Sequence, residues 1–538
     1  MASGVPIALQ LLACATILAA ALLASLPTVR FDFLNWDDPA YVLDNPWIRS
    51  WSRENLVHIF TQPYFSNFLP LHLLSYSLDH SLWGLKPFGY HLQQVLLNAL
   101  NAVLGFFVVR RLLGSFAIAF VTGLLFAVHP SHVEAVAWVS SRKELLSTTF
   151  LLLSLYFYLD ARGGRSLRWG AFVASVVCFT LGLLSKVSIV VLPLFLLLMD
   201  FMIVKVSRRG WRFWADVLGS KIPYALIGLW TVHMNSASQV TAQAAYVHEP
   251  LQYLVVKGHA VWNYLAILAG LRAGNPIYDT PQPAHSFFPI VINLAGLVAL
   301  PALFWFAYRR GHRVLALGAG WVLVTLLPAL LFPLVTYMAE RYLYAPSLGF
   351  CWVLAAGMVA LGRRAGPPPA AAAATAALTL IPFLGFAYRT TLYNPAWANS
   401  ESLWTYAIKR SHDYRVYNNL AQVRIGQKRW SEAEQLLKLG TQVENVIVYR
   451  CLAVLYYDTQ RYDEALKTVD KAFEIMAKTG DDPGERAELE YLRGAIYWVQ
   501  SRHEKAIEAW EAALRANPLQ AQAREWLTTA RSKQPRQP

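Results

Sequence analysis

Five places in the 538-residue sequence set ionisable side chains against apolar runs. Asp37 and Asp38 follow the first run. His132, Glu134, Arg142 and Lys143 fall in the connection 129–144, Lys186 interrupts two apolar runs, Tyr278 and Asp279 lie in the connection 234–287, and Glu340 and Arg341 precede a later run. An ion at the edge of hydrocarbon is costly unless it is paired or wet, so charges kept there point to chemistry on a charged, membrane-bound substrate. The adjacent carboxylates at 37 and 38 repel one another, which raises the proton affinity of one of them or lets the pair orient a cationic or hydroxyl partner; the same Asp-Asp-Pro triplet also suits a solvated turn. Arg142 and Lys143 read either as helix-end side chains snorkelling to the interface or as contacts to a lipid phosphate, with Lys186 a further cation on the same face. His129, His132 and Glu134 do not form an H-E-x-x-H pair and no further ligand cluster accompanies them, so no metal is expected.

The elements that must position these groups follow from composition. Hydrophobic residues make up 56% of the chain and charged ones 15%, with a mean hydropathy of +0.35, which describes a polytopic membrane protein and excludes a water-soluble globule for most of the chain. The net charge of +14 sits in short turns between apolar runs, a topology signal, so nucleic acid is excluded as a partner. Cys14, Cys178 and Cys351 lie in apolar runs and Cys451 in the polar part, with no CxxC motif and no disulfide framework. Apolar runs give about eleven spans, several of them short, beginning with a retained first span over 5–27. Basic clusters at Arg110/Arg111, Arg162/Arg165/Arg168, Lys205/Arg208/Arg209/Arg212, Arg309/Arg310/Arg313 and Arg363/Arg364 mark alternate connections as cytoplasmic. That scheme makes 251–271 a re-entrant or surface-lying helix, puts the N-terminus in the cytoplasm, and places the connections 28–88, 129–144, 234–287 and 333–345 and the C-terminus on the other side.

From about Asn399 the chain becomes charged and repetitive. Arg429-Trp430-Ser431-Glu432-Ala433, Arg461-Tyr462-Asp463-Glu464-Ala465 and Arg502-His503-Glu504-Lys505-Ala506 align, preceded at equal offsets by Ala421, Ala453 and Gly494; the steps from 429 to 461 and from 461 to 502 are 32 and 41 residues. A helix–turn–helix period of about 34 residues with one insertion fits them, and resembles tetratricopeptide repeats at 414–445, 446–478 and 485–518. Such a groove is expected to hold a peptide or protein segment, the alternative being an assembly module.

Taken in order, the Asp-Asp pair after the first span, the stretch His129-Pro130-Ser131-His132-Val133-Glu134-Ala135-Val136-Ala137-Trp138, Ser185-Lys186, the stretch Glu340-Arg341-Tyr342-Leu343-Tyr344-Ala345-Pro346-Ser347 and the trailing repeats resemble the transmembrane and tetratricopeptide-repeat-containing glycosyltransferases over nearly the whole chain. The resemblance implies an all-α fold: a polytopic GT-C-type helix bundle over 1–392 and a repeat solenoid over 393–538. It implies transfer of a sugar, mannose in eukaryotic members, from a polyprenyl-phosphate carrier to a Ser or Thr hydroxyl of a protein on the non-cytoplasmic face, with no cofactor beyond that donor. Carried onto this sequence, Asp37 deprotonates or orients the acceptor hydroxyl, with Asp38 as alternate or helper. Arg341 clamps the donor phosphate bidentately, which a lysine cannot reproduce, and Arg142, Lys143 and Lys186 are secondary phosphate contacts. His132, Glu134 and Glu340 position those cations or touch the sugar, and Tyr278 and Asp279 line the donor entrance. Two departures stand out: eukaryotic relatives commonly carry Gly-Arg-Ala-Asp where this chain has Ser141-Arg142-Lys143-Glu144, and their repeat arrays are longer. The short array suggests a bacterial member in the inner membrane, with the endoplasmic reticulum as alternative. Two other readings stay open: the same fold acting on a lipid or polysaccharide, and a non-enzymatic membrane anchor for a repeat scaffold.

Overall fold

The computed structural model describes residues 5–163, 167–203, 210–236, 249–281, 286–332, 334 and 336–533. Of the basic turns read from the sequence, Arg165, Lys205, Arg208 and Arg209 lie outside the described residues. The chain divides into two compact units, Met1–Leu403 and Trp404–Pro538. Among the described residues both are helical, and the only β pairing is an isolated bridge between Tyr64 and Asn67.

Among the described residues of the first unit, six helical stretches are long and apolar enough to cross a membrane: Ile7–Arg30, Pro87–Leu113, Phe287–Arg309, Arg313–Leu331, Glu340–Ala365 and Pro368–Trp397. Phe116–Ala127 and Pro130–Ala137, bent by 50°, make a seventh if counted as one broken span. Other apolar runs are also helical: Arg142–Arg162 is 21 residues long, and Trp169–Ser185 and Val187–Met202 are shorter. Another of the apolar runs, over residues 213–233 of the sequence, is two helices, Trp211–Gly219 and Ile222–Ser236. Only 11% of the apolar stretch is buried in Phe287–Arg309 and in Pro368–Trp397. Helices apolar all round and this exposed must be solvated by lipid, because water would be expelled from such a surface. The first unit is therefore a multi-pass membrane body.

The connection after the first span folds into a small layer of its own. Ser52 caps the helix Arg53–Thr61 by accepting from the Asn55 backbone N–H at 3.2 Å, and the helix Pro70–Trp83 begins on proline, where no intrahelical N–H is needed. Tyr41, Val42, Ile48, Ile59, Leu73, Tyr76, Tyr90 and Val139 form its core. The layer thus tethers the Asp37 loop to the connection 129–144.

The second unit contains the helix pairs Tyr414–Gly426/Trp430–Gly440, Val446–Asp458/Tyr462–Thr479 and Pro483–Val499/His503–Ala516, followed by Ala521–Lys533. The small residues Ala421, Ala433, Ala453, Ala465 and Ala506 are buried, and a Cβ on Gly494 would come within 2.4 Å of Trp510 Nε1. The turn in each pair uses a left-handed residue at the same register: Lys428 (φ 60°), Gln460 (φ 63°) and Ser501 (φ 60°). That backbone choice reverses the chain within a few residues and lets the small side chains meet.

Candidate functional site

The segment from Glu134 to Lys186 builds most of the site. Glu134, 1% exposed, accepts from the backbone N–H of Arg341 at 2.9 Å and forms an ion pair with its guanidinium. The two charges offset each other's desolvation, as any buried ion requires. The guanidinium carbon lies 4.9 Å from the Tyr342 ring centroid and 5.3 Å from that of Trp138, so Arg341 is held by a carboxylate and by two aromatic faces.

Ser140 ties the two loops together. Its backbone N–H donates to Asp38 Oδ1 at 3.0 Å and its hydroxyl to the same oxygen, while Leu34 N–H donates to Oδ2 at 2.8 Å. Asp38 is fully enclosed, and burial pushes its pKa up to about 6 against the pull of those donors. Asp38, expected as an alternate base, is occupied as a structural acceptor. Asp37 is partly exposed, and its charge opposes the lowering of the Lys143 pKa that burial imposes.

Arg142, expected as a phosphate contact, is instead enclosed. Its guanidinium lies 2.5 Å from Asp79, donates to the Tyr90 carbonyl at 2.9 Å and sits 4.5 Å from the Tyr76 ring centroid. Fully buried and paired with Asp79, it is not among the residues that line the cavity; it anchors the first turn of the helix Arg142–Arg162. The next two residues reach the open space. Glu144 pairs with Lys186, which stands in extended backbone between the helix ending at Ser185 and the turn starting at Val187; the Lys186 ammonium lies 5.1 Å from the Tyr342 ring centroid. For Lys143, no carboxylate oxygen lies within ion-pair distance among the described residues, and its ammonium lies 5.1 Å from the Tyr41 ring centroid.

Lys143, Lys186 and Arg341 line a single cavity of about 310 Å³, together with Glu144, Ser147, Thr148, Asn67 and Asn235 and apolar side chains that include Leu151, Val190, Val232 and Phe332. Three cations, with the Glu144 carboxylate among them, stand beside an apolar wall, an arrangement chemically suited to an anion attached to a hydrocarbon chain.

Glu340, Tyr278, Asp279 and His132 do not line this cavity. Glu340 is 1% exposed and accepts from the Tyr278 hydroxyl and the Asn275 N–H, both at 2.6 Å. Tyr278 is therefore an interior strut, with its pKa raised by burial, and lines no entrance; Asp279 is exposed. Gly274 permits this packing, since a Cβ there would meet Tyr393 Cε1 at 2.2 Å and Glu340 Oε1 at 2.8 Å. His132 is buried, with Nε2 2.8 Å from the Ser347 hydroxyl and its ring against Tyr344 and Phe126. His129 Nε2 lies 3.0 Å from the Leu268 carbonyl. Sequence reading gave no role to Asp79, Trp36, Tyr342 or Gly274. Tyr342 had a signal, its place beside Arg341; Asp79, in an amphipathic helix, had none.

Fold and site together define a multi-pass helical membrane protein with a cation-lined cavity and a C-terminal tetratricopeptide-repeat unit. The dolichyl-phosphate-mannose-protein mannosyltransferase family matches residues 69–233 and the tetratricopeptide repeat family residues 445–519. The chain is similar to the protein O-mannosyl-transferase Tmtc3 of Drosophila melanogaster, with 26% identity over 522 residues, covering 80% of this chain and 55% of that protein. It is also similar to protein O-mannosyl-transferase TMTC2 of Homo sapiens, with 26% identity over 479 residues, covering 71% of this chain and 55% of that protein. The chain thus spans about half the length of the curated relatives it matches. The crystal structure of the Archaeoglobus fulgidus oligosaccharyltransferase tethered with an acceptor peptide aligns at a TM-score of 0.40 and 15% identity, covering 78% of this chain and 58% of that one.

Proposed function

We propose that this chain is a GT-C-type glycosyltransferase that moves a sugar, mannose in the first instance, from a polyprenyl-phosphate carrier to a Ser or Thr hydroxyl of a protein on the non-cytoplasmic face. The observation that carries the reading is the convergence of Lys143, Lys186 and Arg341 on one cavity with an apolar wall. The match of residues 69–233 to the mannosyltransferase family, which includes Lys143 and Lys186, supports it.

In this reading the isoprenoid lies along the apolar wall and the phosphate meets the cations. Asp37 accepts the proton of the acceptor hydroxyl as its oxygen attacks the anomeric carbon, and the glycosyl–phosphate bond breaks with its electron pair passing to the phosphate oxygen. The growing negative charge is stabilised by cations already fixed in place. Arg341 and Lys186 are held by carboxylates, whereas Lys143 has its ammonium available. Roles for Glu134 and Glu144 follow: each orients a cation that would otherwise have to be ordered during the reaction. The repeat unit presents the protein acceptor, and the proposed location is a bacterial inner membrane, with the endoplasmic reticulum as alternative.

The test is transfer of radiolabelled sugar from polyprenyl-phosphate donors to protein in membranes carrying the intact chain. Label in protein that requires both Asp37 and Arg341 is the expected result. Label appearing only in lipid or polysaccharide would replace the acceptor class, and no Asp37-dependent label from any donor would favour a scaffold.

A further inference from the structure

Trp138 touches both halves of the proposed machinery. The Trp36 indole, adjacent in sequence to Asp37, stacks on the Trp138 indole with centroids 4.4 Å apart and planes 18° from parallel. The Arg341 guanidinium lies over the same Trp138 ring at 5.3 Å. The backbone beneath is fixed: the Trp138 carbonyl accepts from Gln94 Nε2 at 2.7 Å, and its N–H donates to the Glu134 carbonyl at 3.3 Å. The side chain is 3% exposed, yet its indole N–H has no hydrogen-bond partner among the described residues. A buried unpaired N–H is unfavourable, so hydrogen bonding does not explain a tryptophan here. What an aromatic ring offers over an aliphatic side chain is a π face that can take a second indole and a guanidinium.

We propose that Trp138 is a positioning residue that keeps the Asp37 loop and the Arg341 guanidinium in register, so that the proton acceptor and the phosphate clamp act on the same donor. This rests on the roles assigned above to Asp37 and Arg341. Neighbouring residues point the same way, since Glu134 holds Arg341 and Ser140 holds Asp38, leaving Trp138 between the two attachments. The ring stack sets where Asp37 stands, and the cation–ring contact sets where the guanidinium stands.

The experiment compares Trp36→Leu, Trp138→Leu, Trp138→Phe and the Trp36→Leu/Trp138→Leu double variant of the full chain, each normalised to folded protein by size-exclusion chromatography. Rates with a polyprenyl-phosphate sugar and a Ser/Thr peptide are split into kcat and donor KM, and binding of polyprenyl phosphate alone is measured separately. Trp36→Leu should lower kcat about tenfold through misplacement of Asp37 while leaving polyprenyl-phosphate affinity within about twofold. Trp138→Leu should lower kcat comparably and also weaken polyprenyl-phosphate binding about fivefold, because Arg341 loses a ring face. The double variant should be no slower than Trp138→Leu, and Trp138→Phe should retain most of both properties.

Single effects that multiply in the double variant, or a kcat per folded molecule unchanged in Trp36→Leu, would overturn the positioning role. Should Trp138→Leu fail to fold, Trp36→Leu and Trp138→Phe still decide it: an unchanged kcat in the first, or a Trp138→Phe variant as slow as Asp37→Asn, rejects the proposal. Wild-type turnover in Asp37→Asn would reject the functional reading beneath it. Inactive Asp37→Asn alongside unaltered tryptophan variants would reject the positioning role alone.

Discussion

Glu134 grips Arg341 twice, accepting from its backbone N–H at 2.9 Å and pairing with its guanidinium. The backbone contact survives any substitution at 341 except proline, so the loop should hold its place when only the side chain changes. Arg341→Lys keeps the charge but loses the planar fork that would engage Glu134 and a phosphate together. Transfer should fall about tenfold or more in kcat/KM while the protein inserts and elutes as the wild type does. Turnover near the wild-type level in Arg341→Lys would show that a point charge is enough there and remove the bidentate role.

Asp37 is the partly exposed member of its pair, with Asp38 enclosed and accepting three donors. Asp37→Asn removes the proton acceptor without adding bulk, so transfer should drop about 10²–10⁴-fold, the range general-base catalysis contributes. Thermal stability should stay close to that of the wild type. A variant that instead aggregates would indicate that Asp37 shapes the loop.

Much of this arrangement is legible in the sequence, for physical reasons that also mark where reading stops. The repeats were readable because Arg429, Arg461 and Arg502 and the small residues around them recur at helix–turn–helix spacing, and the helices match them. Lys143, Lys186 and Arg341 were readable because a cation at the edge of hydrocarbon is costly without a task. Their partners were not, since pairs such as Arg142–Asp79 and Trp138–Trp36 join separate elements and periodicity carries no information about contacts across a fold. The break in the run over 213–233 was hidden for the same reason. Lys221 stands at the break and is paired with Asp200 at 2.8 Å, from a different helix, a contact that the local sequence does not show. Arg142 looked identical in kind to Lys143 until its burial against Asp79 separated them.

Asp38 gives the protein a pH-dependent stability term. Its folded pKa, about 6, lies above the ordinary aspartate value of about 4, so the folded state binds this proton more tightly than the unfolded chain. Its contribution is complete below about pH 4 and is lost as pH rises through about 6, an effect of about 3 kcal/mol for a shift of this size. In detergent-solubilised protein, the wild-type Tm should therefore fall with rising pH across that window relative to Asp38→Asn, which does not titrate. A difference that stays flat with pH would show that the hydrogen bonds from Leu34 and Ser140 outweigh burial.

Gly274 tests the wall behind Arg341. Gly274→Ala places a methyl where Tyr393 Cε1 and Glu340 Oε1 already stand, at 2.2 and 2.8 Å, so either the tyrosine moves or the link from Asn275 N–H to Glu340 breaks. Overpacking of this kind costs about 1–3 kcal/mol. The expected result is a lower Tm together with reduced transfer, since Glu340 adjoins Arg341 in the chain. Unchanged Tm and transfer would mean that Tyr393 yields without consequence and that Glu340 is not under packing constraint.

The repeat unit can be disabled without touching the membrane body's sequence. A Cβ on Gly494 would come within 2.4 Å of Trp510 Nε1 and 2.6 Å of its Cδ1, and Trp510 is fully buried in the last pair. Gly494→Val therefore forces apart the helices Pro483–Val499 and His503–Ala516, and because each repeat is stabilised by its neighbours, the damage should spread along the array. If the repeats present the acceptor, label transfer to whole protein should fall severalfold while transfer to a short Ser/Thr peptide at saturating concentration stays near the wild-type rate. Equal losses on both acceptors would assign the repeats to the stability of the chain, and equal retention on both would leave acceptor capture to the membrane body.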